Sequence, residues 1–231
     1  MNDHKPVIDS EIWDRNSFLS NNPEYSLLLS FVAYASIAWV VTLLFLYVPP
    51  VANAMRCDGN TVFYQGKLVN LVWGVFAHSS LSHYVSNMMY IGIFSALITG
   101  WFGHRVFWAL LVPVAVSVHG ISLLTYPPGV QLVGSSGLVF ILIPFWIVMF
   151  RFATAHQSPF RKNLKTVGVA LMLLWPMGFS PSTSYRTHYI GMLAGLVAGL
   201  IYGFIKRKEI LRRNIEYCAQ LTAGIDKKRK P

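Results

Sequence analysis

The sequence predicts an all-α membrane protein, a bundle of six transmembrane helices with a short central fourth span. Three observations lead there. Of 231 residues, 54% are hydrophobic and 12% are charged, about half the charge of an ordinary soluble domain. The apolar residues lie in long charge-free blocks, several of them near the roughly 20 residues that a helix needs to cross a bilayer. The basic residues between those blocks fall in alternate loops, which is how membrane proteins encode their orientation.

The elements follow in order. Residues 1–24 are polar, with Asp3, Asp9, Glu11 and Asp14, and do not read as a signal peptide, which opens with a basic stretch and an apolar region. They are expected to form a cytoplasmic segment. The first span, TM1, is expected over Tyr25 to Val48 and stops at Pro49-Pro50. Leu68 to Ala77 is apolar but too short to cross and reads as a helix lying in the membrane surface. TM2 covers Leu81 to Phe102, and TM3 runs from Val106 to Tyr126 around Pro113. TM4 is Leu138 to Phe150, ended by Arg151, and TM5 is Thr166 to Phe179, followed by the turn Ser180 to Ser184. TM6 is His188 to Ile205, so that residues 25–205 form the membrane domain and 206–231 a basic cytoplasmic tail.

With both termini on the cytoplasmic side, sixteen Lys and Arg lie inside and three (Arg56, Lys67 and Arg186) outside. The reverse orientation would invert the positive-inside rule. The net charge of +10 is therefore a topology signal, with attraction of the tail to anionic lipid as a secondary role and no nucleic-acid partner. Cys57 and Cys218 fall on opposite sides of the bilayer in this topology and cannot pair, and no CxxC occurs. Neither a disulfide framework nor a metal site is expected.

The stretch Gly134-Ser135-Ser136-Gly137 sits between an irregular loop, Tyr126 to Gln131, and the apolar run of TM4. A helix N-terminus directs unpaired N–H groups and a positive dipole end at whatever lies beside it, which suits a serine nucleophile with an oxyanion pocket. TM2 opens with His78, His83 and Asn87, the last two sharing a helix face at a spacing of four. TM6 opens with His188, followed by Gly191, Gly195, Gly199 and Gly203. Polar groups inside a membrane are costly and mark function by default.

Their depths agree. Ser136 lies 15 residues before Arg151, about 22 Å of helix. His188 precedes Lys206, and Asn87 precedes Arg105, by 18 residues each, about 27 Å. All three come within about one helical turn of each other near the outer surface of a hydrocarbon core about 30 Å thick. TM4, with about 15 charge-free residues, is too short to fill that thickness. The loop before it therefore dips beneath the surface, where protein must bury it or water must wet it. The glycines of TM6 form a groove that lets another helix approach closely.

These residues resemble the rhomboid family of intramembrane serine proteases. The match consists of HxxxxHxxxN at His78, His83 and Asn87, GxSG at Gly134 to Gly137, and HxxGxxxG at His188, Gly191 and Gly195, covering roughly residues 68–205. The resemblance implies Ser136 as nucleophile and His188 as general base. It implies an oxyanion site formed by His83, Asn87 and the Ser136 backbone N–H, and an aromatic, here Phe140 in place of the usual tyrosine, packed on the base. Gly103 fits the glycine that ends TM2. The family's Trp-Arg pair in the first outer loop is missing, with Val69-Asn70 the nearest stretch, and Thr99 stands where an acidic residue is common near the end of TM2.

Each residue also has a plainer reading. Ser136 could be a helix N-cap, and His83 and Asn87 could hydrogen-bond across helices. His78 reads as a loop brace or water-holding residue, and His119 and Trp146 as packing. Ser135 is the other possible nucleophile, but the family spacing selects Ser136. The implied function is hydrolysis of peptide bonds in or near transmembrane segments of membrane-protein substrates, without a cofactor, in a bacterial inner membrane. TM5 with the Ser180–Ser184 turn is the expected gate. A histidine base with an ordinary pKa near 6.5 predicts activity that falls as pH drops through about 6. Two other readings remain at this point: a catalytically inactive rhomboid-like protein that binds transmembrane helices, and a transporter with a half-length helix, which would carry an internal repeat. The sequence leaves the oligomeric state open.

Overall fold

The computed structural model describes residues 7–20, 28–174 and 183–229. Among them, five helices are long and apolar enough to cross a membrane: Leu28–Tyr47, Leu81–Phe102, His104–Leu124, Ser136–Ala153 and the first part of Tyr185–Gly224. No strand forms among the described residues; one isolated antiparallel bridge joins Asp58 and Gln131.

The larger of two compact units comprises Glu24–Trp146 and Pro176–Ala198. Helix α2, Leu28–Tyr47, is the first span. It ends at Tyr47, just before the proline pair expected to stop it, and that pair occupies the first turn of a short helix, α3, Pro49–Ala54, where proline's missing N–H costs nothing. Helix α4, Asn70–Phe76, falls within the Leu68 to Ala77 segment and at seven residues is too short to cross a bilayer. Helix α5, Leu81–Phe102, has the predicted bounds, with Ser80 capping its N-terminus and Gly103 ending it at a φ of +90°. The third span comprises α6, His104–Ala109, a π-helical stretch from Leu110 to Ala115 around Pro113, and α7, Val116–Leu124. Proline removes one backbone donor, and a π-bulge is a common way to absorb that loss.

Helix α8, Ser136–Ala153, has 18 residues, about 27 Å, longer than the sequence suggested. It begins at the serine itself and runs past Arg151, whose charge at a helix C-terminus complements the macrodipole. It is also the most enclosed span, with 61% of its apolar window buried against 28% for α2 and 22% for the long final helix. The outer helices instead turn Leu, Val, Ile and Phe side chains outward, among them Val32, Val40, Val85, Met89, Leu193, Ile201 and Phe204. An apolar exterior of this extent suits lipid.

The loop before α8 is held by backbone bonds, with Pro127 to Gly129 and Gln131 exposed and Leu132, Gly134 and Ser135 buried. Asn60 N–H donates to the Pro128 carbonyl (3.0 Å), Leu132 N–H to Cys57 (2.8 Å) and Gly134 N–H to Gly74 (2.9 Å). Cys57, Val62, Leu123 and Leu132 form a small apolar cluster beneath these bonds. In the first outer loop Asn70 is buried, and its amide donates to the carbonyls of Ala54 (3.0 Å) and Arg56 (2.8 Å). Asn70 thus ties this loop where the resemblance expected a Trp-Arg pair.

The smaller unit comprises Met1–Pro23, Ile147–Trp175 and Gly199–Pro231. Helix α9, Pro159–Leu174, starts seven residues before the expected TM5, whose end lies outside the described residues, as does most of the Ser180–Ser184 turn. Helix α10 runs unbroken from Tyr185 to Arg229, 45 residues. The charges from Lys206 onward therefore end the apolar run but not the helix. Helix α1, Ser10–Arg15, is capped by Asp9. The N-terminal segment is bonded to the far part of α10: Phe18 N–H donates to Asn214 Oδ1 (3.0 Å), and Asp9 N–H to Thr222 Oγ1 (3.1 Å). The segment after Lys206 is thus helical through Arg229 and bonded to the N-terminal segment.

Candidate active site

Ser136 is the first residue of α8, and His188 lies in the first turn of α10. The Ser136 hydroxyl lies 2.9 Å from His188 Nε2, a hydrogen bond between side chains 52 positions apart. The Phe140 ring, one turn along α8, stacks on the imidazole at 4.1 Å with an interplanar angle of 10°. Tyr185 meets the same imidazole edge-on at 6.1 Å. The hydroxyl, the imidazole and the stacked aromatic thus come together as the resemblance implied.

Glycines set this distance. A Cβ built on Gly191 would stand 2.8 Å from the Gly137 carbonyl oxygen, and one on Gly195 would stand 2.9 Å from the Ile141 backbone carbons. No larger residue fits either position without parting the backbones, so α10 lies directly on the first turns of α8. Gly134 has a φ of +119°, a conformation open chiefly to glycine. The place its side chain would take is filled by the His83 ring, 2.5 Å from a built Cβ. Gly137 is packed beneath Thr187, and His119 lies close by, buried.

His83 therefore stands against the loop that leads into Ser136. Its Nδ1 lies 3.1 Å from Ser79 Oγ. If the serine hydroxyl donates there, the proton of the neutral ring sits on Nε2, leaving that nitrogen a donor. Asn87, one turn further on the same face of α5, is 6% exposed, and its Nδ2 has no hydrogen-bond partner among the described residues. A buried donor without a partner is rare enough to require a reason.

His78 and Ser135 pair separately. Ser135 Oγ lies 2.7 Å from His78 Nε2, and both residues are fully buried. Ser135 accepts the first helical bond of α8, from Val139 N–H, so it holds the N-cap position, but its hydroxyl goes to the imidazole. The N-cap reading considered for Ser136 thus falls one residue earlier. Trp146 packs against Trp101 at 5.8 Å and Phe102 at 6.1 Å, as expected of a packing residue. No group of three or more His, Cys, Asp or Glu side chains among the described residues could hold a metal ion.

Sequence reasoning missed Ser79 and Thr42, polar residues that carry no motif. Ser79 could have been noticed at i−4 from His83. Thr42 lies 36 positions from its partner, His78, and leaves no local signal.

A bundle of apolar-faced helices, with a serine–histidine contact at the start of its most enclosed span, defines a polytopic membrane protein with a hydroxyl–imidazole pair at a helix N-terminus. The sequence matches the Rhomboid domain family over residues 65–209, more than half of the chain, and the protein belongs to the rhomboid family. No curated protein matches it.

Proposed function

We propose that the protein is an intramembrane serine protease that cleaves peptide bonds in or near transmembrane segments of other membrane proteins. The observation that carries this reading is the 2.9 Å contact between Ser136 Oγ and His188 Nε2, with Phe140 stacked on the base. Ser136 attacks the scissile carbonyl carbon, and His188 takes the hydroxyl proton and passes it to the leaving amine. Water then attacks the acyl-enzyme, giving up a proton to His188, which returns it to the departing Ser136 oxygen as the acid is released. Charge builds on the carbonyl oxygen in between. Asn87 Nδ2, His83 Nε2 and the Ser136 N–H, at the positive end of α8, are the donors assigned to it. The unpartnered Asn87 amide supports that assignment, because a donor poised for a transient oxyanion has no other bond to make.

The orientation that goes with this reading puts both termini in the cytoplasm of a bacterial inner membrane and the site near the outer face. Labelling the purified protein with a fluorophosphonate tests it. Labelling is expected in the wild type and lost in Ser136→Ala and in His188→Ala. Equal labelling in wild type and Ser136→Ala would overturn the assignment. An unreactive wild type would point to a rhomboid-like protein that binds transmembrane helices without cutting them.

A further inference from the structure

The consecutive serines 135 and 136 each pair with a histidine, and the Ser135–His78 pair has no part in the reaction described so far. Ser135 and His78 are fully buried, with no surface open to a substrate. Their contact continues away from the site: His78 Nδ1 lies 3.0 Å from Thr42 Oγ1, and Thr42 Oγ1 donates to the Phe76 carbonyl at 3.4 Å. One assignment of protons satisfies every member. Ser135 donates to His78 Nε2, His78 Nδ1–H donates to Thr42, and Thr42 donates to the Phe76 carbonyl. The Tyr34 hydroxyl, also fully buried, donates to the neighbouring Val75 carbonyl at 3.2 Å. The chain of bonds thus joins the first span, the segment before α5 and the residue next to Ser136.

We infer that Ser135, His78 and Thr42 form a buried strut that fixes the first turn of α8, and that Ser135 and Thr42 are positioning residues for Ser136. This rests on the reading of Ser136 as the nucleophile. Three facts carry it. The Ser135 hydroxyl is diverted from the capping bond an N-cap serine ordinarily makes to the first free N–H groups of its helix. The peptide that joins Ser135 to Ser136 bears the N–H assigned to the oxyanion, so a rotation at Ser135 moves hydroxyl and N–H together. A buried polar chain with every member paired holds one geometry, whereas one missing partner leaves a desolvated group that shifts to find another.

A strut predicts loss in the chemical step rather than in binding, because small displacements of reacting groups cost rate steeply. The test is the reaction of the purified full-length protein with a fluorophosphonate, resolved into the maximal inactivation rate and the half-saturating concentration, with thermal unfolding followed on the same samples. Ser135→Ala and Thr42→Val are each expected to lower the maximal rate by roughly ten- to a hundredfold, with half-saturation within about twofold. Thr42→Ser, which keeps the hydroxyl, is expected to recover most of the rate lost in Thr42→Val. Should one variant fail to fold, the other decides.

A folded Ser135→Ala or Thr42→Val with wild-type maximal rate would overturn the inference. So would equal losses in Thr42→Val and Thr42→Ser, which would make Thr42 a packing residue. Ser136→Ala, run in parallel, separates the two levels. If it still reacts, the nucleophile assignment fails and the strut with it. If it is inert while Ser135→Ala reacts normally, the strut alone is wrong.

Discussion

Adding a single methyl group at Gly195 should pull the proposed dyad apart without touching either of its members. The new carbon would lie 2.9 Å from the Cα and carbonyl carbon of Ile141 and closer still to its oxygen. Ordinary carbon–carbon contact is about 3.5–4.0 Å. Both partners are helix backbone and cannot swing aside as a side chain would, so α10 must move off α8 by about 1 Å. At Gly191 the built carbon is 2.8 Å from one carbonyl oxygen, and a separation of about half an ångström relieves it. The Ser136–His188 contact of 2.9 Å survives the smaller movement as a long hydrogen bond but is broken by the larger, which takes it beyond about 3.5 Å. The fluorophosphonate reaction rate is therefore expected to fall by about a hundredfold in Gly195→Ala and several-fold in Gly191→Ala. Stability should fall by about 1–3 kcal/mol, the usual cost of overpacking. Rate and thermal unfolding measured on the same protein separate the two effects. A Gly195→Ala protein that reacts as fast as wild type would refute the claim that close backbone approach sets the dyad distance.

Three other outcomes are expected. Asn87→Ala should lower the maximal rate of peptide hydrolysis by about 10²–10³, the range seen when one oxyanion donor is removed, while thermal stability rises or holds because an unpartnered buried amide is gone; a rate within threefold of wild type would remove Asn87 from the oxyanion site. Ser79→Ala should slow the reaction by about five- to tenfold, the worth of one hydrogen bond, because His83 is then free to carry its proton on Nδ1; a nitrogen-15 spectrum of the ring would report the change of tautomer. The third concerns pH and the loop at Asp58. Burial raises the affinity of that carboxyl for a proton, but the Thr61 N–H and the Arg56 guanidinium outweigh it and hold the pKa below the ordinary carboxylate value. A depressed carboxyl contributes stability above its unfolded pKa, near 4, that is lost as pH falls through the folded one. Asp58→Asn should then unfold more easily than wild type by about 1 kcal/mol at pH 7 and by progressively less below pH about 4. A gap that does not change with pH would exclude the charge as its source.

The site was legible in the sequence to an unusual degree because depth in a membrane can be counted. The rise per residue and the basic residues that end the apolar runs put Ser136, His188 and Asn87 at one level, and the structure brings Ser136 and His188 into hydrogen-bonding contact. Helix ends were less legible. Arg151 and Lys206 end charge-free runs, and a charge stops a helix from being lipid-embedded without stopping it from being a helix, so α8 and α10 both continue past them. The difference between Ser135 and Ser136 was not legible from local chemistry at all. Successive residues on a helix point about 100° apart, and which of two hydroxyls is buried depends on His78, distant in sequence, and on Thr42 beyond it. Only the resemblance to a family chose between them, and it chose the serine whose hydroxyl lies 2.9 Å from His188 Nε2. The loop bond from Asn70 was equally hidden, because an amide that caps carbonyls fourteen and sixteen positions back has no sequence pattern.

The separation of 52 positions between Ser136 and His188 also has a consequence for how the protein is made. Ribosomes add roughly 5–20 residues per second, so for about 3–10 seconds a growing chain carries the serine and no histidine to accept its proton. During that interval the serine cannot be activated by this route, even though the spans before it are already in the lipid beside other newly inserted polypeptides. Activity on the proposed scheme begins only when the final span arrives, so an interrupted translation product that stops short of Tyr185 would be inert.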